Sequence, residues 1–156
     1  MGDRSNQEVD RIRLRPAKPE DREYLWRLHC ATMQDYVDKT WGWDAAWQRA
    51  RFDESFDPLS LQIIEKDGAA VGYISVQSGG DEIFLAGIEI EPRQQNQGIA
   101  TKLIKQLFAE SDASHVPLRL RVLKINPARR LYERLGFQCT GETVTHYLMN
   151  RAPRRT

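Results

Sequence analysis

Apolar and polar positions alternate along this chain with two different periods, and the changes of period mark its elements. Arg11-Ile12-Arg13-Leu14-Arg15 alternates charged and apolar side chains, as a half-buried strand does, and Pro16 closes it. Pro19-Glu20-Asp21 opens a helix with proline and two acids in its first turn. Leu25, Leu28, Thr32 and Tyr36, joined by Trp26 and Met33, lay an apolar stripe along it at helical spacing. Trp41-Gly42-Trp43 interrupts the pattern, and Asp44 is placed to cap a second helix over about residues 45–52.

Beyond Asp57-Pro58 the period shortens to that of strands. Residues 61–65 and 71–76 read as two strands joined by the hairpin turn Lys66-Asp67-Gly68. Gly79-Gly80-Asp81 turns the chain again into a long apolar strand, residues 83–91, closed by Pro92. A polar loop over residues 93–97 precedes a helix whose buried face is Ile99, Leu103, Ile104, Leu107 and Phe108. After Pro117, residues 118–123 alternate almost perfectly. A helix over about residues 127–135 then runs to its natural stop at Gly136. Residues 137–140 and 143–149 read as a final strand pair. The order predicts an α+β fold, a mixed sheet with helices packed on it. Residues 1–10 read as a frayed lead-in, 11–150 as one domain, and 151–156 as a loose basic tail.

Composition narrows the function classes. The chain has 156 residues and a formal net charge of +1, which disfavours nucleic acid or an anionic membrane as partner. It contains no apolar run of the roughly 20 residues that span a bilayer, and residues 1–10 do not resemble a secretory signal. Cys30 and Cys139 lie far apart in no metal-like spacing, which fits reduced thiols in a cytoplasmic protein. His29, His115 and His146 are scattered and predict no metal site.

The most informative stretch is Ile88-Glu89-Ile90-Glu91-Pro92-Arg93-Gln94-Gln95-Asn96-Gln97-Gly98-Ile99-Ala100. Here a strand ends, a short polar loop turns, and a helix starts at small residues. The first amides of such a helix have no partner within it, and with the helix dipole behind them they suit a phosphate group. A strand–loop–helix junction with one glycine also occurs without any ligand. No Gly-Lys-Ser/Thr follows, as a Walker loop would need. Nor does the turn carry the three glycines of the dinucleotide fingerprint.

Two segments together carry a resemblance. Gln95-Asn96-Gln97-Gly98-Ile99-Ala100 is similar to the Gln/Arg-x-x-Gly-x-Gly/Ala pattern of GCN5-related N-acetyltransferases (GNAT). Residues 126–137, Asn-Pro-Ala-Arg-Arg-Leu-Tyr-Glu-Arg-Leu-Gly-Phe, resemble that family's second signature. The order of elements resembles the family fold as well, over about residues 11–149. At Asn96 and Ala100 the family often has glycine.

The resemblance implies a GNAT-like acyl-CoA N-acyltransferase fold, with a mostly antiparallel sheet, a splayed parallel strand pair and four helices. It also implies an activity: transfer of an acetyl group from acetyl-CoA to a primary amine of a small molecule or peptide, by a monomer or homodimer. A non-catalytic acyl-CoA-binding sensor is the alternative. For the cofactor, it implies that Gln95, Asn96, Gln97, Gly98, Ile99, Ala100 and Thr101 receive the pyrophosphate. Main-chain groups of Ile88 and Ile90 would pair with the pantetheine arm. Asn126 and Arg129 would add further contacts, although Asn126 is equally placed to cap a helix. Tyr132 matches the usual acid that protonates the departing thiolate, with simple packing as its other reading. Glu89 is the candidate base, with Glu82 as an alternative; either could instead be a solvated strand-end charge, and many relatives use water chains in place of a base. Tyr36, Trp41 and Trp43 would wall the acceptor site, or pack as core. Asp38 and Asp44 would attract a cationic acceptor, or act as caps.

Overall fold

The computed structural model describes residues 11–155. The expected lead-in over residues 1–10, and Thr156 of the expected tail, lie outside the described residues. Seven strands and four α-helices follow one another as β1 (Ile12–Pro16), α1 (Arg22–Trp41), α2 (Ala45–Ser55), β2 (Gln62–Lys66), β3 (Ala69–Gly79), β4 (Glu82–Ile90), α3 (Ile99–Ser114), β5 (Leu118–Leu123), α4 (Ala128–Leu135), β6 (Gln138–Glu142) and β7 (His146–Arg151). The strands form a mixed sheet in the order β1-β2-β3-β4-β5-β7-β6. β4 and β5 are its parallel pair, matched over Ile83–Leu85 and Leu118–Leu120. The α+β expectation, a mostly antiparallel sheet with one parallel pair and four helices, holds.

The chain divides into two compact units, residues 11–75 with 87–100 and residues 76–86 with 101–155. In the first, β1 and β3 flank β2 antiparallel. Asp67 and Gly68 both have positive φ, 53° and 82°, the twist a two-residue hairpin needs. Ile63 and Ile64 are successive residues of β2 and both fully buried, so this strand is covered on its two faces. Leu25 and Leu28 of α1 join Ile63 and Ala17 in the core, with Tyr24, Phe52, Phe56, Leu61 and Tyr73 packed around them.

In the second unit, β7 lies antiparallel between β5 and β6. Leu118, Leu120 and Val122 are buried while Arg119 and Arg121 face solvent, as the alternation predicts. Phe137 packs against Phe108 and Tyr132, with ring centroids 5.6 and 5.8 Å apart. Gly136 ends α4 in the left-handed conformation.

Two strands run past their expected ends. β3 continues to Gly79 although its apolar alternation stops at Val76, because ladder hydrogen bonds need no apolar side chains. β7 continues to Arg151, which reads from sequence as the start of a tail. Its guanidinium is buried, donating to the Asp112 carboxylate at 2.8 Å and lying 4.1 Å from the Phe108 ring centroid. A buried cation is tolerated when its charge is matched in this way, although the buried Nε has no hydrogen-bond partner.

Candidate active site

Glu89 stands near the end of β4 and is only 8% exposed. Burying a carboxylate is costly unless donors reach it. Here both donors come from α1, where His29 and Thr32 sit three residues apart on the face that carries Leu25 and Leu28. Thr32 Oγ1 donates to Glu89 Oε1 at 2.8 Å, and His29 Nδ1 lies 3.1 Å from the same oxygen. The second oxygen, Oε2, is buried and without a hydrogen-bond partner. Beside the carboxylate opens a cavity of about 290 Å³, walled by α1, α2 and the neighbouring strands. Its lining is mostly apolar: Leu25, Phe52, Phe56, Leu61 and Tyr73 around Glu89 and His29.

An aromatic group continues outward from His29. Trp43 stacks on Trp26 at 6.1 Å and lies 6.3 Å from the His29 ring. Trp41 is 59% exposed and Tyr36 half-buried. Of the three expected acceptor-wall residues, Trp43 is thus the one next to the Glu89 neighbourhood. Asp38 and Asp44 accept from the amides of Trp43 and Trp47, both at 3.0 Å, so they are caps of the α1–α2 corner.

β4 leads into the polar loop of the same unit. Asn96 has φ 64° and Gly98 φ 84°, so two left-handed residues bracket Gln97 just before α3. Asparagine is one of the few non-glycine residues that adopts this conformation readily. That accounts for Asn96 where the family often has glycine. The side chain of Gln95 donates to the Ile90 carbonyl at 2.9 Å, tying the loop to its strand. Lys66 Nζ donates to Gln97 Oε1 at 2.8 Å and sets a cation beside the loop. Ile99 and Ala100 begin α3, where the first-turn amides lack intrahelical acceptors. Ile88 is half-buried and Ile90 buried.

Tyr132, Asn126 and Arg129 belong to the second unit. Tyr132 is buried edge-on against Phe137, and burial pushes its phenol up to about 12. Asn126 Oδ1 accepts from the Ala128 amide at 2.9 Å, two residues on, an Asx turn leading into α4. Arg129 pairs with Glu133 at 2.6 Å and lies 4.2 Å above the Tyr147 ring centroid. Glu82, the alternative base, pairs at 3.0 Å with Arg119 on the exposed face of the sheet.

Sequence alone does not reveal the Glu89 partners: His29 is one of three scattered histidines there, and Thr32 belongs to an apolar stripe. The available signal was their position on the inward face of α1 opposite a strand with a glutamate in an otherwise apolar run. No group of His, Cys, Asp and Glu among the described residues could hold a metal ion, and no described helix is long and apolar enough to cross a membrane.

Residues 22–137 match the Acetyltransferase (GNAT) family. The chain belongs to this family. Within it, a 91-residue stretch is 32% identical to a Bacillus subtilis (strain 168) protein provisionally named ribosomal protein bS18-alanine N-acetyltransferase, covering 56% of this chain and 60% of that protein. Solved GNAT structures share the fold. PaiA N-acetyltransferase from Thermoplasma acidophilum, in complex with coenzyme A, superposes with a TM-score of 0.72 at 14% identity, over 90% of this chain and 98% of its own. The ribosomal-protein-S18-alanine N-acetyltransferase of Escherichia coli gives 0.65 at 18% identity, over 93% and 96%.

Proposed function

We propose that this GNAT protein moves an acetyl group from acetyl-CoA to a primary amine, carried by a small molecule or by a peptide. One observation carries the reading. Glu89 is a buried carboxylate that lines a cavity, with one oxygen held by Thr32 and the other buried without a hydrogen-bond partner. A free alkyl amine has a pKa of about 10.4, so at neutral pH its ammonium must lose a proton before it attacks. Glu89 Oε2 receives that proton, while Thr32 and His29 hold Oε1 in place.

The loop residues fit the diphosphate of coenzyme A. Left-handed Asn96 and Gly98 leave room for close approach, and the amides of residues 98–101 lack helical partners. When bound, acetyl-CoA supplies the acetyl group as a thioester. Gln95, Asn96, Gln97, Gly98, Ile99, Ala100 and Thr101 hold the diphosphate through main-chain amides, and Lys66 adds positive charge beside Gln97. Ile88 offers main-chain groups to the pantetheine arm. Ile90 has its carbonyl already engaged by Gln95. Asn126 orders the start of α4, and Arg129 contributes a positive charge partly offset by Glu133. Tyr132 keeps its proton at neutral pH and donates it toward the departing thiolate. Trp43, beside His29, flanks the approach of the amine, and Tyr36 and Trp41 extend that aromatic wall further out. The names of the Bacillus subtilis and Escherichia coli relatives support a protein amine as one acceptor.

The test is thiol release from acetyl-CoA over a panel of small amines and peptides, with mass spectrometry of each amine. Amine-dependent thiol release with a matching acetylated product supports the reading. Coenzyme A binding with no transfer to any amine would instead favour a sensor.

A further inference from the structure

The cavity beside Glu89 says more about the acceptor than its nitrogen. Its apolar walls are the side chains of Leu25, Phe52, Phe56, Leu61 and Tyr73, all partly or fully buried against the core of the first unit. His29, Gln48, Arg51, Ser55 and Glu89 complete the lining. Phe52 and Phe56 lie 5.8 Å apart at one side. Such walls are held in place by packing, so the cavity is preformed and not an opening between loose side chains. Its volume, about 290 Å³, is near the lower end for small-molecule sites and matches a ring-sized group.

The charges are as selective as the shape. Glu89 is the only anion among the lining residues, and its unpartnered Oε2 is buried. Arg51, the one permanent cation of the lining, is exposed with its guanidinium 5.3 Å from the Trp47 ring centroid. One buried carboxylate matches one ammonium. A second or third positive charge would meet no further acid here and would meet Arg51, so polycationic acceptors are disfavoured.

We propose that the acceptor is a primary amine joined by a short link to an apolar group of about aromatic-ring size, with its nitrogen on Glu89 Oε2 and its apolar part among Leu25, Phe52, Phe56 and Tyr73. This rests on the transfer reading above and names its substrate class. The same chemistry is offered by a free arylalkylamine and by a peptide whose first residue has a large apolar side chain.

Calorimetric titration of the full chain, saturated with coenzyme A, tests it. The probes are phenethylamine, ethylamine and spermidine, with short peptides beginning in Phe or Ala. Phenethylamine binds roughly tenfold or more tightly than ethylamine, from burial of its ring, and more tightly than spermidine. Phe52→Ala and Glu89→Gln each weaken it by about tenfold. Ser55→Trp, at an exposed lining position, blocks the cavity without removing a packed side chain. Tighter binding of the Phe peptide than of phenethylamine identifies a chain terminus as the source; the reverse order identifies a small molecule. Ethylamine or spermidine binding as well as phenethylamine overturns the proposal, and so does no binding of any amine. Phenethylamine binding without thiol release keeps the cavity's role and overturns the transfer reading. Thiol release with spermidine alone does the opposite.

Discussion

A Cβ on Gly72 would stand 2.2 Å from the carbonyl oxygen of Glu89. No real side chain tolerates that contact, and both partners are fixed, since the obstacle is backbone. The absence of a side chain at one position of β3 therefore sets how closely β4 approaches it, at the residue proposed to take the amine proton.

Gly72→Ala is accordingly expected to force the strands apart. The cost is about 1–3 kcal/mol, typical of overpacking, with a loss of activity larger than the loss of stability explains. Gly79→Ala is the control, because nothing lies within 4 Å of its Cβ. Urea unfolding and amine acetylation, measured on both variants, separate the two effects.

For Glu89→Gln the expected loss in kcat/KM is about a hundredfold or more, the scale of a lost general base, with coenzyme A affinity unchanged. Thr32→Val removes the 2.8 Å donor to Oε1 but leaves His29, so its loss is smaller, about tenfold. Steady-state kinetics with a direct coenzyme A titration checks both. Equal losses for the two variants would mean that the carboxylate is merely structural.

Asn96 and Gly98 give a prediction about the loop. Asn96→Gly keeps the φ of 64° accessible and leaves coenzyme A affinity intact. Asn96→Val and Gly98→Val strain the left-handed backbone by about 1–2 kcal/mol each and weaken coenzyme A. Measured dissociation constants for the three variants decide whether loop geometry governs binding.

How much of this was legible beforehand follows from what each feature depends on. Periodicity marked β5 to the residue, because Leu118, Leu120 and Val122 are buried on one side and the arginines between them are not. The Asp44 cap and the Gly136 stop were legible because each is decided within a few residues of chain. The end of β7 was not, because Arg151 is buried by a partner 39 positions away, Asp112. The pairing of Glu89 with His29 and Thr32 was hidden for the same reason, spanning 60 and 57 positions. A periodic pattern tells which face of α1 turns inward; it does not tell which strand lies beneath.

The pH dependence of stability follows from groups held away from their ordinary values. The Arg15 guanidinium holds Asp21 low, and Arg151 does the same for Asp112. Both carboxylates bind protons less readily in the folded chain, so their contribution is present at neutral pH and is lost as pH falls below about 4. Tyr132 behaves oppositely. Burial raises its phenol to about 12, so its contribution is complete below about pH 10 and declines as pH rises from 10 toward 12. Unfolding free energies measured across pH should show a plateau between about 7 and 9 with a fall on each side, the acid side beginning with His146, whose imidazole burial holds low. Asp21→Asn shallows the acid limb. Tyr132→Phe shallows the alkaline limb, and it also lowers kcat by about tenfold to a hundredfold while sparing coenzyme A binding.

The proposed hold of residues 95–101 on the diphosphate of coenzyme A is tested most directly by titrating the full chain with acetyl-CoA by calorimetry. One saturable site, competed by coenzyme A and weakened by Gly98→Val, is the predicted result. No binding up to about millimolar ligand, with the chain folded, would contradict it.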